Sequence, residues 1–363
     1  MEEVGLVEDW EVIERMLPEG WQAKAKESGA LRRCRGFRDA GTLLRVMLIH
    51  LVDGCSLRET AVRAREGGLV SVSDVALLKR LKHCQEWFRW MAAGLMQHWM
   101  TGLAEWGQPR RVRVVDGSVI NEPGATGSTW RLHYSASLPS LHCDEVDVTG
   151  AEVGESFRRF SVAPGDVLIG DRGLAHRNGV RHVVEAGGDV IVRINLINLP
   201  LLNSHGGRLA LLPWLRRLRI GEISECLASM FDDQGQVSGR VCAIKKSRKA
   251  AERARLRSER ENSKKGHVVR ADTLEAASYV FVFTTLEARQ WPAQAVLEMY
   301  RGRWQVELAF KRLKSILAMG HLKKTDPQGA RAWLQGKLLV AFLIEALIAA
   351  GERFFPWGYP LPN

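Results

Sequence analysis

Through the first hundred or so residues, apolar positions recur at three and four, and proline is almost absent between Trp21 and Gly107. This is the period of helices packed on one face. Ser56 with Glu59 three residues later forms a capping box for a helix through Arg65, which Gly67 and Gly68 stop. A second helix is predicted from Ser73 through His83, with Lys79, Arg80 and Lys82 set beside Val75, Leu78 and Leu81. Two short helices around a Gly-containing turn read either as a helix-turn-helix with a basic second helix or as part of a plain helical bundle. Trp87, Met91 and Leu95 follow at helical spacing and read as core.

At Gln108-Pro109 the pattern changes to strands. Candidates run from Arg111 to Ile120, Arg131 to Ser137 and His142 to Thr149, the first two separated by a Pro123-Gly124 turn. A short apolar strand from Asp166 to Gly170, a helix from Ala175 to Ala186 stopped by Gly187-Gly188, and a strand from Val190 to Ile194 follow. Three hairpin-like strands and then alternating strand and helix predict an α/β mixed sheet covered by helices. From Asn195 to Ala276 the runs are short and strand-like, as at Ile220 to Cys226 and Arg240 to Ile244, with little helical periodicity. Strand character resumes from Tyr279 to Thr285, and a long helix is predicted from Pro292 to Ala318. The apolar run from Leu338 to Ala350, interrupted by Glu345, is shorter than the roughly 20 residues of a bilayer span and reads as a buried helix.

Composition alters this picture in one respect. Of 363 residues, 46% are hydrophobic and 26% charged, as in ordinary globular chains, but 52 Lys+Arg against 41 Asp+Glu leave a net charge of +11. The excess favours a polyanionic partner. Lys245 to Lys265, which includes Lys246, Arg248 and Lys249, carries ten Lys/Arg against three Glu, so +7 of that charge sits in one run. It reads as a solvated loop or helix face, or as an arm that tracks phosphates. The six cysteines lie far apart without a C-x-x-C pair, which excludes a zinc framework or a disulfide scaffold and fits a reducing cytosol. The acidic first residues lack the apolar stretch of a signal peptide.

The candidate chemistry lies on the helix from Pro292. Tyr300, Arg303, Glu307 and Lys314 are separated by 3, 4 and 7 residues, which at about 100° per residue places all four on one stripe. A carboxylate between two cations suits a hydrated metal ion whose phosphodiester ligand the cations grip, although i,i+4 ion pairing on an exposed helix produces the same pattern. The spacing Y-x2-R-x3-E-x6-K resembles the signature of bacterial cut-and-paste insertion-sequence transposases of the DDE class. A chance match in a chain of this length is of order one in a few hundred.

That resemblance implies a ribonuclease-H-like core whose first Asp ends the first strand and whose second ends the fourth. RVRVVDGSVI places Asp116 within the first strand candidate, and VLIGDRG places Asp171 at the end of a short strand with glycine on each side. Asp116, Asp171 and Glu307 form the implied triad. The 136-residue separation of Asp171 and Glu307 leaves room for the family's mostly β insertion, GSTWRLHYS looks like the family's second strand, Tyr279 stands where relatives place an aromatic that stacks on a flipped nucleotide, and Trp304 also neighbours the site. The implied organisation is a helical DNA-binding domain over 1–107, a catalytic core split between 108–195 and 277–325, a β-rich basic insertion over 196–276, and a short helical region over 326–363.

The implied chemistry is metal-dependent phosphodiester hydrolysis and transesterification. The triad would hold two Mg²⁺ ions about 4 Å apart, with Mn²⁺ able to substitute, since oxygen-only ligands disfavour zinc. Tyr300, Arg303 and Lys314 would hold phosphates beside the scissile bond. The partners implied are double-stranded DNA, as transposon ends and target, and a second copy of the chain at the ends. The setting implied is the cytoplasm and its nucleoid, with no membrane. His133, His142 and Cys143 are near in sequence, but adjacent strand residues face opposite ways, which argues against a shared ion. Asp144 and Asp147 are rival carboxylates without a partner motif. A non-catalytic, transposase-derived DNA-binding protein is the competing reading.

Overall fold

The computed structural model describes residues 9–32, 36–104, 110–122, 124, 127, 129–138, 140, 142–195, 197–263, 266, 268–319, 322 and 326–354. Cys34, Gln108, Pro109, Pro123, Lys264 and Lys265 lie outside them, so the domain boundary expected at 108 and one residue of the Pro-Gly turn are not described.

The N-terminal segment forms six helices, α1 (Asp9–Met16), α2 (Trp21–Glu27), α3 (Ala40–Val52), α4 (Leu57–Glu66), α5 (Asp74–His83) and α6 (Gln85–Ala104). Ser56 and Ser73 cap α4 and α5, their hydroxyls accepting from the amides of Glu59 at 3.1 Å and Ala76 at 3.2 Å. The predicted basic second helix is less free than its sequence suggests. Lys82 pairs with Asp326 at 3.1 Å and Arg80 donates to the Ala30 carbonyl at 3.3 Å, which leaves Lys79 exposed. Trp87 stacks on Trp21 at 6.1 Å and donates its indole N–H to the Trp21 carbonyl at 2.8 Å, confirming its place in the core.

The middle of the chain builds β1 (Val112–Ile120), β2 (Trp130–Leu138), β3 (Cys143–Gly150), β4 (Val167–Gly170), α7 (Arg177–Glu185) and β5 (Asp189–Arg193). These strands lie in the order β3-β2-β1-β4-β5, with β2 antiparallel to both neighbours and β1, β4 and β5 parallel, which is the ribonuclease-H-like arrangement. Neighbouring residues enter different cores, as period-two alternation requires. Val114 and Ile169 face the first core, and Val115 and Leu168 face the second. One end of β1 is fastened by Arg113, which is 1% exposed and bonds Asp144 at 3.0 Å and Glu145 at 2.7 Å. Asp144 therefore has a structural partner. His133 bonds Thr149 Oγ1 at 2.9 Å, and among the described residues neither it nor Cys143 belongs to a metal-competent cluster.

The stretch from 196 to 276 contains β6 (Leu201–Leu202), α8 (Leu211–Arg216), β7 (Ile223–Asp232), β8 (Gly235–Lys245), α9 (Arg248–Ser263) and α10 (Ala271–Ala276). Its strands join the central sheet through β9 (Tyr279–Thr284), which pairs antiparallel with both β5 and β8, so the nine strands form a single sheet. The reading of this stretch as strand-like is corrected at α9, a 16-residue helix made from the basic run. Its sequence is nearly all polar, so it offers hardly any apolar stripe from which a helix could be inferred.

The predicted helix from Pro292 to Ala318 is also corrected. It breaks into α11 (Ala293–Arg301) and α12 (Trp304–Lys311), followed by a π-turn over Arg312–Ile316. Gly302 is tightly enclosed at the break, where a Cβ would lie 3.1 Å from the Met299 carbonyl and 3.3 Å from Leu138. The last helix, α13 (Pro327–Phe354), packs across α3, α5 and α6, so the two ends of the described chain share the first core. Among the described residues, no helix is long and apolar enough to cross a membrane.

Candidate active site

Parallel pairing assembles the site. β1 and β4 register Val114 against Ile169, and the same offset carried two residues on, just past the end of β4, sets Asp116 beside Asp171. Asp116 shares the face of Val114, beneath α12, while Asp171 follows the last residue of β4 and accepts the Gly173 amide at 2.6 Å. A third carboxylate comes from the loop after β3. Glu155, Asp116 and Asp171 each present an oxygen, and the three oxygens lie within 4.8 Å of one another. Sequence reasoning missed Glu155, for no motif surrounds it and only the folded loop brings it in.

Glu307 is not among these three. It stands exposed on α12 and accepts from Arg303 at 2.9 Å, while the same guanidinium lies 3.7 Å from Asp116. Arg303 thus spans the two carboxylates. The broken helix separates the predicted stripe into different environments. Tyr300 is buried at the end of α11, Arg303 sits in the turn, and Lys314, in the π-turn, donates to the Val119 carbonyl at 2.7 Å. Trp304, half exposed, opens α12.

Burial, then the charge of Asp171, pushes the Asp116 carboxyl up to about 7, against the opposing pull of the Gly117 amide and Arg303. Glu155 is also raised, by burial and Asp171, although Arg131 holds one of its oxygens at 2.9 Å. Crowded carboxylates lacking enough positive charge are what a hard cation would relieve, and an all-oxygen donor set suits Mg²⁺ or Mn²⁺. Glycine keeps the space clear. A Cβ at Gly117 would fall 2.6 Å from Glu155 Oε1, and one at Gly173 would fall 2.8 Å from Glu155 Oε2.

Two cations not singled out in the sequence stand next to this centre. Arg172 follows Asp171, and with Arg193 it acts on Lys246, whose ammonium is lowered to about 8 by burial and by those two charges. Tyr300 is raised by burial, an effect that Arg193 and Arg303 oppose. Lys245 and Lys246 donate to the carbonyls of Leu218 at 2.9 Å and Ala277 at 2.8 Å, while Arg248 and Lys249 are exposed at the start of α9. The stacking role for Tyr279 disagrees with its position. It is 4% exposed, packed in the second core, with the Lys245 ammonium 5.5 Å from its ring centre.

The sequence profile of the family described as "Transposase DDE domain" matches residues 144–343. The chain is 35% identical over 347 residues to the putative transposase InsL of insertion sequence element IS186A from Escherichia coli K12, covering 93% of each chain. It is likewise 35% identical over 348 residues, 93% of each chain, to the transposase for insertion sequence element IS421 from Escherichia coli. The chain belongs to the DDE transposase family. A transposase for insertion sequence element IS231F from Bacillus thuringiensis subsp. israelensis matches more narrowly, at 28% over 130 residues. As a DDE transposase the protein is a DNA-cleaving and strand-transferring enzyme that uses divalent metal, and the acidic centre of the sheet has a donor set that fits such an ion.

Proposed function

We propose that this transposase binds the terminal inverted repeats of an insertion sequence and excises it by cut-and-paste, through a hairpin at the element end. Asp116, Asp171 and Glu307 are the carboxylates that hold two Mg²⁺ ions, for which Mn²⁺ can substitute. The observation supporting this reading is the proximity of Asp116, on β1, to Asp171, directly after β4, with Arg303 tying Glu307 to the same centre. Divalent ions supply Lewis-acid activation of the attacking water or 3′-hydroxyl and stabilisation of the leaving oxygen.

The side chains provide placement. Asp116 is fixed in β1 and Asp171 directly follows β4, whereas Glu307 stands exposed on α12 with its carboxylate engaged by Arg303. Once the carboxylate charge is neutralised, Arg303 no longer faces unscreened Asp116 and Glu307 and is available to a DNA phosphate. The Tyr300 hydroxyl and the Lys314 ammonium grip neighbouring phosphates, Lys314 by exchanging its carbonyl partner for an anion. The exposed cations of α9, Arg248 and Lys249 among them, track the duplex backbone, and Lys245 and Lys246 add positive potential at its base. The helices of 1–107 recognise the repeats, Trp304 stacks on an extruded base, and two copies of the chain synapse the two ends on the nucleoid.

The test is Mg²⁺-dependent nicking of DNA that carries the inverted repeats flanking the gene, comparing wild type with Glu307→Ala. Cleavage at the repeat ends by the wild type alone is the expected result. Binding without cleavage in either Mg²⁺ or Mn²⁺ would point instead to a regulatory descendant that retained the fold.

A further inference from the structure

We infer that Glu155 is a metal ligand of the DNA-free transposase, completing with Asp116 and Asp171 a three-carboxylate site in which Glu307 takes no part. The inference rests on the proposal that this centre binds divalent metal, and it adds a residue outside the Asp-Asp-Glu triad.

Three observations support it. The donor geometry is closed without Glu307, since one oxygen each from Asp116, Glu155 and Asp171 fall within 4.8 Å, a spacing that a single small cation can bridge with modest movement. Glu155 is aimed into the centre. Arg131, on β2, holds Oε1 at 2.9 Å and leaves Oε2 on the side of Asp171. The space is also kept open from β1 and from the turn after β4, because a Cβ at either Gly117 or Gly173 would overlap the Glu155 carboxylate. Those two glycines directly follow Asp116 or lie two residues beyond Asp171, so the carboxylates and the cavity for the third are built by the same two segments.

Glu307, in contrast, is 58% exposed and engaged by Arg303. Glu155 therefore loads the ion in the free protein, and Glu307 enters when DNA draws Arg303 away. Arg131 acts as a positioning residue that orients Glu155.

The experiment is Mn²⁺ binding to the full chain without DNA, followed by the electron paramagnetic resonance of the free ion, for wild type, Glu155→Gln, Glu307→Gln and Asp116→Asn. Thermal melting confirms that each variant is folded. Glu155→Gln should weaken Mn²⁺ binding about tenfold or more, the range for loss of a group that holds or orients a metal, while Glu307→Gln stays within about twofold of wild type. Wild-type affinity in Glu155→Gln overturns the inference and leaves the metal reading of the aspartates standing. If wild type binds no more Mn²⁺ than Asp116→Asn, that reading falls and takes the inference with it. Glu155→Cys gives a second readout, because a thiolate ligand should shift preference from Mn²⁺ toward Cd²⁺ by about tenfold or more. An unchanged preference in that variant counts against ligation.

Discussion

The two halves of the proposed site are held in different ways. The strand-borne half, Asp116 and Asp171, hangs from adjacent parallel strands, and β1 is clamped at its other end by Arg113 with Asp144 and Glu145. The helix-borne half, Tyr300, Arg303, Glu307 and Lys314, is spread over two helices, a turn and a π-turn, and its carboxylate faces solvent. A hydrogen-bonded sheet fixes position through many shared bonds. A broken helix can reorient by changing a few dihedrals, which suits the proposed entry of Glu307 on DNA binding.

The largest effect should fall equally on both halves. Asp116→Asn, Asp171→Asn and Glu307→Gln should each lower end cleavage on the order of 10³-fold or more in a nicking assay, with retention of end DNA on a gel nearly unchanged. A residual activity in Glu307→Gln far above that of the aspartate variants would show the helix-borne half to be dispensable. Stability should separate them. Arg113→Met removes a buried cation from Asp144 and Glu145 and should cost about 3–5 kcal/mol in denaturant unfolding, whereas Glu307→Gln, exposed, should change little.

Titration sharpens the contrast further. Two carboxyls are pushed up to about 7, Asp116 from an ordinary 3.8 by burial and Asp171, and Glu345 on α13 from 4.5 by burial despite Arg312. Between those ordinary values and about 7 the native chain binds more protons than the unfolded chain. Stability of the metal-free protein therefore falls as pH rises through that window and levels off above about 7. Asp116→Asn and Glu345→Gln should each flatten the melting-temperature profile. Mg²⁺ should raise the wild-type melting temperature above pH 7, do the same in Glu345→Gln, and fail to do so in Asp116→Asn.

The strand-borne half was largely legible in the sequence because period-two alternation and an aspartate beside glycine within or just after an apolar strand run are local signals. β1 to β5 and α7 lie within two residues of their predicted ends for the same reason. Glu155 was illegible, since its role depends on a loop folding back between two strands 55 residues apart. The break at Gly302 was hidden too. A helical stripe counts residues at a constant 100°, and neither a turn nor a π-turn alters the residue types that occupy it. The basic run of α9 could not declare itself a helix through apolar periodicity, and the buried place of Tyr279 arises from β8 and the second core packing over β9, a long-range contact that no local pattern reports.

Arg303 is where the halves meet, and its loss should be moderate. Arg303→Ala should weaken complexes with end DNA and reduce the magnitude of the slope of log affinity against log salt by about one, as expected for one phosphate contact. An unchanged slope would assign Arg303 wholly to holding Glu307.

The smallest effect distinguishes the two aromatics that the sequence placed together. Trp304 is half exposed at the start of α12, beside Arg303 and Glu307, while Tyr279 is enclosed by the second core with Lys245 over its ring. A base can stack only on a face that solvent reaches. Trp304→Ala should therefore weaken binding to end DNA with an unpaired terminal base by about 1–3 kcal/mol, and weaken it less on fully paired DNA, where extrusion must first be driven. Tyr279→Phe keeps the buried ring and should leave both affinities unchanged in a fluorescence-anisotropy titration. Equal losses from the two substitutions would mean that β9 opens during end binding, placing the second core on the moving side of the site.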